Sequence, residues 1–156
     1  MPPPTLPRRR HILVGATGLA MGVVLRPASA SAAAGDLAVA VAAYTQGAPV
    51  RTGKVKLDIA ELVDNGNVVP ITVTVDSPMT AADHVKSIAV FNEKNPQRDV
   101  ARFTLGPRAG KASVSTRIRL ATSQQLVAVA RMSDDSYWSH TVNVIVTLAA
   151  CIEGDP

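Results

Sequence analysis

Residues 71–76 read Ile-Thr-Val-Thr-Val-Asp, an alternation of apolar and polar side chains that decides the fold class. Residues 142–148, Val-Asn-Val-Ile-Val-Thr-Leu, place apolar residues at every second position as well, and Ile118 and Leu120 alternate with arginines. A period of two puts successive side chains on opposite faces of a β-strand. These segments therefore predict strands that have one buried and one solvated face.

The rest of the chain after residue 50 predicts further strands. Residues 55–59, 85–92, 100–105 and 126–132 are rich in β-branched and other apolar residues. Turn signals separate the predicted strands, and they comprise residues 64–67, 77–78, 95–96, 106–107, 109–110 and 134–135. About seven short strands at this spacing predict an all-β fold, an immunoglobulin-like β-sandwich.

A short N-terminal helix is predicted over residues 36–45. Leu37, Val41 and Tyr44 recur there at helical spacing within alanine-rich sequence. The alternative is that this stretch is an unstructured remnant of the segment that precedes it.

The first 34 residues are predicted to be a cleaved signal peptide. Three arginines at positions 8–10 precede an uncharged segment over residues 12–25, and small residues with Ala-x-Ala spacing follow at 28–34. The uncharged segment is shorter than the ~20 residues that a membrane-spanning helix needs. Arg9-Arg10-His11-Ile12-Leu13 has the form of a twin-arginine signal. We therefore expect residues 35–156 to form one domain, exported to the periplasm by the twin-arginine route and free of the membrane after cleavage.

The charge of the chain argues against a nucleic-acid partner. The whole chain has 16 basic and 12 acidic residues, but four of the arginines lie in the predicted signal peptide, which has no acidic residue. The mature part therefore has as many basic as acidic residues, and only 3% of the whole chain is aromatic. Neither a charge excess for phosphates nor a stacking surface for bases is present.

A search for catalytic or metal-binding patterns finds none. The mature part has two histidines, His84 and His140, and neither belongs to an HExxH pattern. Gly-rich phosphate loops and the G-x-S-x-G pattern are missing as well. Blue-copper sites need two His and one Cys with a weak axial ligand such as Met. In their common arrangement a His and the Met closely follow the Cys, whereas residues 152–156 here contain neither. We therefore predict no enzyme activity, no metal and no cofactor.

Cys151 is the single cysteine of the chain. In an exported protein an unpaired cysteine suggests intermolecular pairing or a reactive role. It lies just past the alternation that ends near Leu148, and three extended residues span about 10 Å. We therefore expect an exposed thiol that reaches into a cleft of another protein. The alternative is an incidental cysteine.

Several long segments resemble the SoxY family. They are residues 59–70 (IAELVDNGNVVP), 71–79 (ITVTVDSPM), 95–96, 100–103, 115–121 (STRIRLA) and 127–134 (VAVARMSD), together with the final strand and its cysteine. The resemblance covers nearly all of the mature part. It implies an immunoglobulin-like periplasmic carrier in sulfur-compound oxidation, which pairs with a SoxZ-like subunit as a heterodimer.

The resemblance also implies what Cys151 does. It would be the covalent attachment site for thiosulfate-derived intermediates. The further partners implied are a haem-containing loading enzyme, a sulfate-releasing hydrolase and sulfur-oxidising enzymes, whereas the carrier itself performs no turnover.

The carrier arm departs from the family pattern, in which glycines flank the cysteine on both sides. This chain has Ala149 and Ala150 before Cys151, then Ile152, Glu153 and Gly154. Alanine and β-branched isoleucine restrict the backbone more than glycine does, and nearby anionic groups disfavour a thiolate. The sequence therefore leaves a second interpretation open, namely a structural or assembly subunit of a sulfur-oxidation complex with a degenerate arm.

Overall fold

The structure, a computed structural model, describes residues 29–150, with side chains described from Gly35 onward. Over these residues the chain forms one α-helix, nine β-strands and a short 3₁₀ turn at Pro107–Ala109. The elements are α1 (Ser29–Thr45), β1 (Val50–Thr52), β2 (Val55–Asp58), β3 (Leu62–Asn65), β4 (Val69–Val75), β5 (Val85–Asn92), β6 (Asp99–Thr104), β7 (Ser113–Ile118), β8 (Gln124–Met132) and β9 (Tyr137–Leu148).

The strands form two sheets. The larger sheet has the order β1-β9-β8-β5-β6, and β3 also pairs with β9 beside β1. The smaller sheet has the order β2-β4-β7. Strands β1 and β3 run parallel to β9, whereas the other neighbouring strands are antiparallel. The predicted all-β, immunoglobulin-like sandwich with a short N-terminal helix is confirmed.

The main core lies between the two sheets. Strand β4 contributes Ile71 and Val73, which are buried, while Thr74 between Val73 and Val75 is exposed. Ile88 of β5 and Leu126 of β8 face them from the larger sheet in the same buried cluster. Burying a side chain of this size contributes about 1.5–3 kcal/mol. The alternation at residues 71–76 was therefore a correct guide to the inner face.

Helix α1 covers part of the outer face of the larger sheet. Leu37 is buried there. The centroid of the Tyr44 ring lies 5.7 Å from the ring centroid of Phe91 and 5.9 Å from that of Tyr137. Because β8 has the core on one side and α1 on the other, both of its faces are buried from Leu126 to Ala130. This explains why that strand shows no alternation in sequence.

The bounds of α1 differ from the prediction at one end. The helix begins at Ser29 rather than Asp36, since the added segment is mostly alanine, the strongest helix former. It ends at Thr45, as predicted, where Gln46 takes a left-handed conformation and the Gly47 amide donates to the Ala42 carbonyl. Most of the predicted signal peptide, residues 1–28, lies outside the described residues. In the part of the chain that the structure describes, no helix is long and apolar enough to cross a membrane.

Two strands beyond the predicted seven account for the difference in strand number. Strands β1 and β3 are three and four residues long, and Val63 is their only buried residue. They are too short to show a period of two in sequence, and each forms its strand pairing with β9. The predicted turn at residues 64–67 is therefore wrong in its first half, since Asp64 and Asn65 belong to β3. Leu120 lies beyond the end of β7 but is fully buried, so the alternation continues past the strand.

Candidate functional site

The structure describes two of the predicted arm residues. Ala149 is exposed, whereas Ala150 is buried, with 7% of its surface accessible. Cys151, Ile152, Glu153 and Gly154 lie outside the described residues. The base of the candidate site is the part of the chain that directly precedes the cysteine, at Leu148, Ala149 and Ala150.

Strand β9 brings the chain to this base. Its first three residues pair with β1 and its last residues pair with β3, with Leu62 opposite Ile145 and Asn65 opposite Leu148. The other edge of β9 pairs with β8 as far as Val144. The Leu148 end therefore lies at one corner of the sandwich.

Three backbone hydrogen bonds fasten the chain at this corner. The Gly66 amide donates to the Leu148 carbonyl at 2.8 Å, and the Leu120 amide donates to the Gly66 carbonyl at 2.8 Å. The Ala150 amide then donates to the Leu120 carbonyl at 3.1 Å. We call these backbone groups of Gly66, Leu120, Leu148 and Ala150 the tail anchor. The sequence suggested that the chain is free of the sandwich from Leu148 onward. Because the anchor includes Ala150, the hydrogen-bonded backbone extends two residues further than that.

Gly66 is required in the tail anchor because there is no space for a side chain. A Cβ at this position would lie 2.3 Å from the Leu120 oxygen, 2.9 Å from the Ala150 nitrogen and 3.1 Å from Val146 Cγ1. The first two neighbours are backbone atoms and cannot rotate away. The glycine is therefore needed for close approach of three segments.

Exposed apolar residues lie near the tail anchor. Leu62 and Ile145 are register partners on adjacent strands, with 58% and 60% of their surfaces exposed. We call this pair the edge patch. Leu148 and Val68 are exposed to a similar degree, but Leu148 is three residues from Ile145 along β9 and so projects from the other face of the strand. Neighbouring exposed apolar side chains are a feature of interaction surfaces.

Comparison with known proteins identifies the family. Residues 41–151 match the family described as "Sulfur oxidation protein SoxY", and the match ends at Cys151. The chain belongs to the SoxY family. Curated protein sequences give no match.

Solved structures agree with this assignment. The sulfur carrier protein SoxY from Chlorobium limicola f. thiosulfatophilum is 28% identical, with a TM-score of 0.64, and the alignment covers 76% of this chain and 98% of that one. A superoxide reductase (neelaredoxin) from Ignicoccus hospitalis is 20% identical over 60% of this chain and 80% of its own, with a TM-score of 0.54. A putative superoxide reductase from Thermotoga maritima is 22% identical over 66% and 89%, with a TM-score of 0.51. The likeness to the two reductases shows a shared fold alone.

Both histidines of this SoxY-family domain have structural partners. The His140 Nδ1 accepts the Leu57 amide at 3.1 Å, which ties β2 of the smaller sheet to β9 of the larger. The His84 Nδ1 lies 3.1 Å from the Thr80 carbonyl oxygen. Among the described residues, His, Cys, Asp and Glu form no group of three or more that could hold a metal ion.

The acidic groups with displaced pKa values lie at the opposite end of β9 from the tail anchor. The side-chain hydroxyl and the amide of Ser136 lower the pKa of Asp134, and hydrogen bonds from Lys86 and Arg131 lower the pKa of Asp135. Both acids belong to the β8–β9 turn. They stabilise that turn and have no part in the candidate site.

Sequence reasoning missed the tail anchor. Its members come from three distant segments, and all four contribute backbone atoms to it, which no side-chain pattern reports. One signal was present: Asn65-Gly66 was recognised as a turn element. What the sequence did not reveal is that Gly66 meets Leu120 and Ala150.

Proposed function

We propose that this chain is a periplasmic carrier that binds thiosulfate-derived sulfur intermediates covalently on Cys151 and presents them to sulfur-oxidation enzymes. The observation that carries the proposal is the position of the cysteine. It directly follows Ala150, the last residue of the tail anchor, and it closes the segment that matches the SoxY family. We infer that a thiol one residue beyond the anchor is offered to other proteins while the sandwich stays outside their clefts.

The proposed chemistry uses the thiol as the only reacting group of this chain. Loading joins the Cys151 sulfur to the outer sulfur of thiosulfate, giving Cys–S–S–SO₃⁻ and releasing one proton and two electrons. A haem-containing loading enzyme accepts those electrons. Hydrolysis by a second enzyme then cleaves the S–SO₃ bond with water, giving Cys–S–SH, sulfate and one proton. Oxidation of the remaining sulfur by further enzymes completes the cycle, so the chain is a carrier and not an enzyme.

The proposed partner in the complex is a SoxZ-like subunit. The edge patch supports this, because its apolar side chains are exposed beside the base of the tail. A partner seated there would cover Leu62 and Ile145 and would leave the tail free to enter enzyme clefts. Export to the periplasm by the twin-arginine route is part of the proposal, and it rests on the arginine pair near the N-terminus.

The intact mass of the protein tests the carrier function. Protein isolated without reductant from cells that oxidise thiosulfate should carry sulfur-containing adducts that a reductant removes. The Cys151→Ser variant should carry none. If the wild-type protein has only a free thiol while its complex with the SoxZ-like subunit forms normally, the structural-subunit interpretation replaces the carrier function.

A further inference from the structure

We propose that Asn95 is the positioning residue of the carrier arm, acting through Leu120 and the tail anchor. This proposal rests on the carrier function proposed above. It assigns a role to a side chain that lies outside the tail, in the β5–β6 loop.

Leu120 is the central member of the tail anchor. Its amide donates to Gly66 and its carbonyl accepts from Ala150, so one peptide segment binds both other parts of the corner. Its side chain is fully buried in the core between the sheets. The position of Ala150, and with it the origin of the thiol-bearing residue, therefore depends on where the backbone of Leu120 lies.

The Asn95 side chain fixes that backbone from both sides. Its Nδ2 donates to the Arg119 carbonyl at 2.8 Å, and its Oδ1 accepts the Ala121 amide at 3.0 Å. One amide group thus holds the residue before and the residue after Leu120. Such bridging of a loop by a single Asn is specific, because both the donor and the acceptor are used in a defined orientation.

Gln124 in turn holds the Asn95 amide in place. Its Nε2 donates to Asn95 Oδ1 at 2.7 Å and to the Thr122 carbonyl at 3.1 Å, while its Oε1 accepts the Lys94 amide at 2.8 Å. Gln124 is one of three buried polar residues among those that the structure describes, with 5% of its surface exposed. Asn95 itself is half-buried, and each side-chain oxygen and nitrogen of the two amides has a partner, which favours one arrangement of the pair.

Arg98 holds the β5–β6 loop in place through two further hydrogen bonds. Its guanidinium donates to the Asn95 carbonyl at 2.6 Å and to an Asp36 carboxylate oxygen of α1 at 3.2 Å. The loop that carries Asn95 is therefore braced by the sheet and by the helix. Asn95 can act as a fixed support for Leu120 because its own backbone is held.

Positioning matters because the cysteine must enter clefts of other proteins. Displacing a reacting group by about 1 Å can reduce the rate by about a hundredfold. A small reagent in solution approaches the thiol from any direction and is insensitive to such a shift. The rate in an enzyme cleft therefore reports the position of the thiol, whereas the rate with a small reagent reports its intrinsic reactivity.

The test compares Asn95→Ala with Asn143→Ala in the full exported protein. Asn143 is an exposed residue of β9 whose side chain has one hydrogen bond, from Gln125, so its variant is the matched control. The first readout is amide hydrogen exchange at Ala150 and Leu120. We expect both amides to exchange at least tenfold faster in Asn95→Ala, with Val73 and Val129 unchanged, and to be unaffected in Asn143→Ala.

The second readout compares two reactions of Cys151. One is loading with thiosulfate by the haem-containing loading enzyme, and the other is the reaction with 5,5′-dithiobis(2-nitrobenzoate). We expect Asn95→Ala to lower kcat/KM for loading at least tenfold and to leave the reagent rate within about twofold. Asn95→Asp keeps the acceptor for Ala121 but sets a carboxylate oxygen against the Arg119 carbonyl oxygen where the donor was, so it should lower the loading rate as well. It also replaces Asn95→Ala if that variant does not fold.

Each outcome bears on one claim. Unchanged exchange at Ala150 in the Asn95 variants overturns the positioning role, whatever the function of the chain. Faster exchange with an unchanged loading rate overturns it too, because the thiol would then not depend on the anchor. If the wild-type protein is not loaded at all, the carrier function fails, and the exchange rates alone decide whether Asn95 positions the tail.

Discussion

The tail anchor and the helix-covered face of the larger sheet are stabilised in opposite ways. Under α1, the side chains of Leu37, Phe91, Val129 and Tyr137 form a buried cluster, and their apolar area excludes water. At the tail anchor, backbone amides and carbonyls provide the bonds, and the missing side chain of Gly66 leaves room for the three segments to approach. Loss of atoms should therefore damage the first region, whereas addition of atoms should damage the second.

The largest effect is expected from Phe91→Ala under the helix. Phe91 is almost fully buried and its ring packs against Tyr44, so its truncation removes apolar burial and leaves a cavity. We expect the free energy of unfolding, measured by urea denaturation, to fall by about 3–5 kcal/mol. Val39→Ala on the same helix is the control, because 68% of Val39 is exposed, and it should change stability by less than about 0.5 kcal/mol. Equal losses in both variants would contradict the burial argument.

A smaller but still large loss is expected from Gly66→Ala. The added methyl group meets the Leu120 carbonyl oxygen at 2.3 Å, so the three segments must separate, at a cost of about 2–3 kcal/mol. Gly106→Ala is the matched control, because its φ of −156° is extended and a Cβ there meets nothing within 4 Å. Thermal unfolding should show a lower Tm for Gly66→Ala than for Gly106→Ala. If Gly66→Ala is as stable as Gly106→Ala, the close approach does not limit the anchor.

A single hydrogen bond within the helix-covered region gives an intermediate effect. The Tyr44 hydroxyl lies 2.7 Å from Ser87 Oγ, and burial raises the pKa of Tyr44. Tyr44→Phe keeps the ring contacts and removes this bond, which should lower stability by about 0.5–1.5 kcal/mol. A double-mutant cycle with Ser87→Ala isolates the bond. Additive losses in the cycle would show that the two hydroxyls do not interact.

The smallest effect is expected from Asp135→Asn in the β8–β9 turn, and it should depend on pH. Hydrogen bonds from Lys86 and then Arg131 lower the pKa of Asp135 from its ordinary value of 3.8. Its contribution to stability is therefore complete above about pH 4 and is lost as the pH falls through the lowered value. Asparagine tolerates the φ of +64° at this position. The difference in Tm between wild type and variant should be present at about pH 6 and shrink as the pH falls below about 4. A difference that grows in acid would contradict this assignment.

The two regions also differ in how well the sequence predicted them. The alternation at residues 71–76 and the helical spacing of Leu37, Val41 and Tyr44 report side-chain burial, and both were confirmed. Cys151 was singled out as a candidate reactive thiol because it is the single cysteine of the chain; its role as an attachment site came from the resemblance to the SoxY family and stays a prediction. Asn95 and Gly66 were recognised only as turn residues, since their roles depend on where Leu120 lies in space. Strands β1 and β3 were missed for a related reason. Their sequences are too short to show an alternation of apolar and polar residues, and they are strands because they pair with β9.

Strand β9 also determines the order in which the molecule can fold. It pairs with β8, β1 and β3, and it accepts the Leu57 amide through His140, 83 residues away. None of these contacts can form until nearly the whole domain has been synthesised, and until then β8 has an unpaired edge. Proteins dominated by such distant contacts fold in about milliseconds to seconds, and an open strand edge invites pairing with other chains. The nascent chain therefore needs shielding from aggregation until its last strand arrives, and that arrival completes the sheet and fastens the base of the cysteine tail in one step.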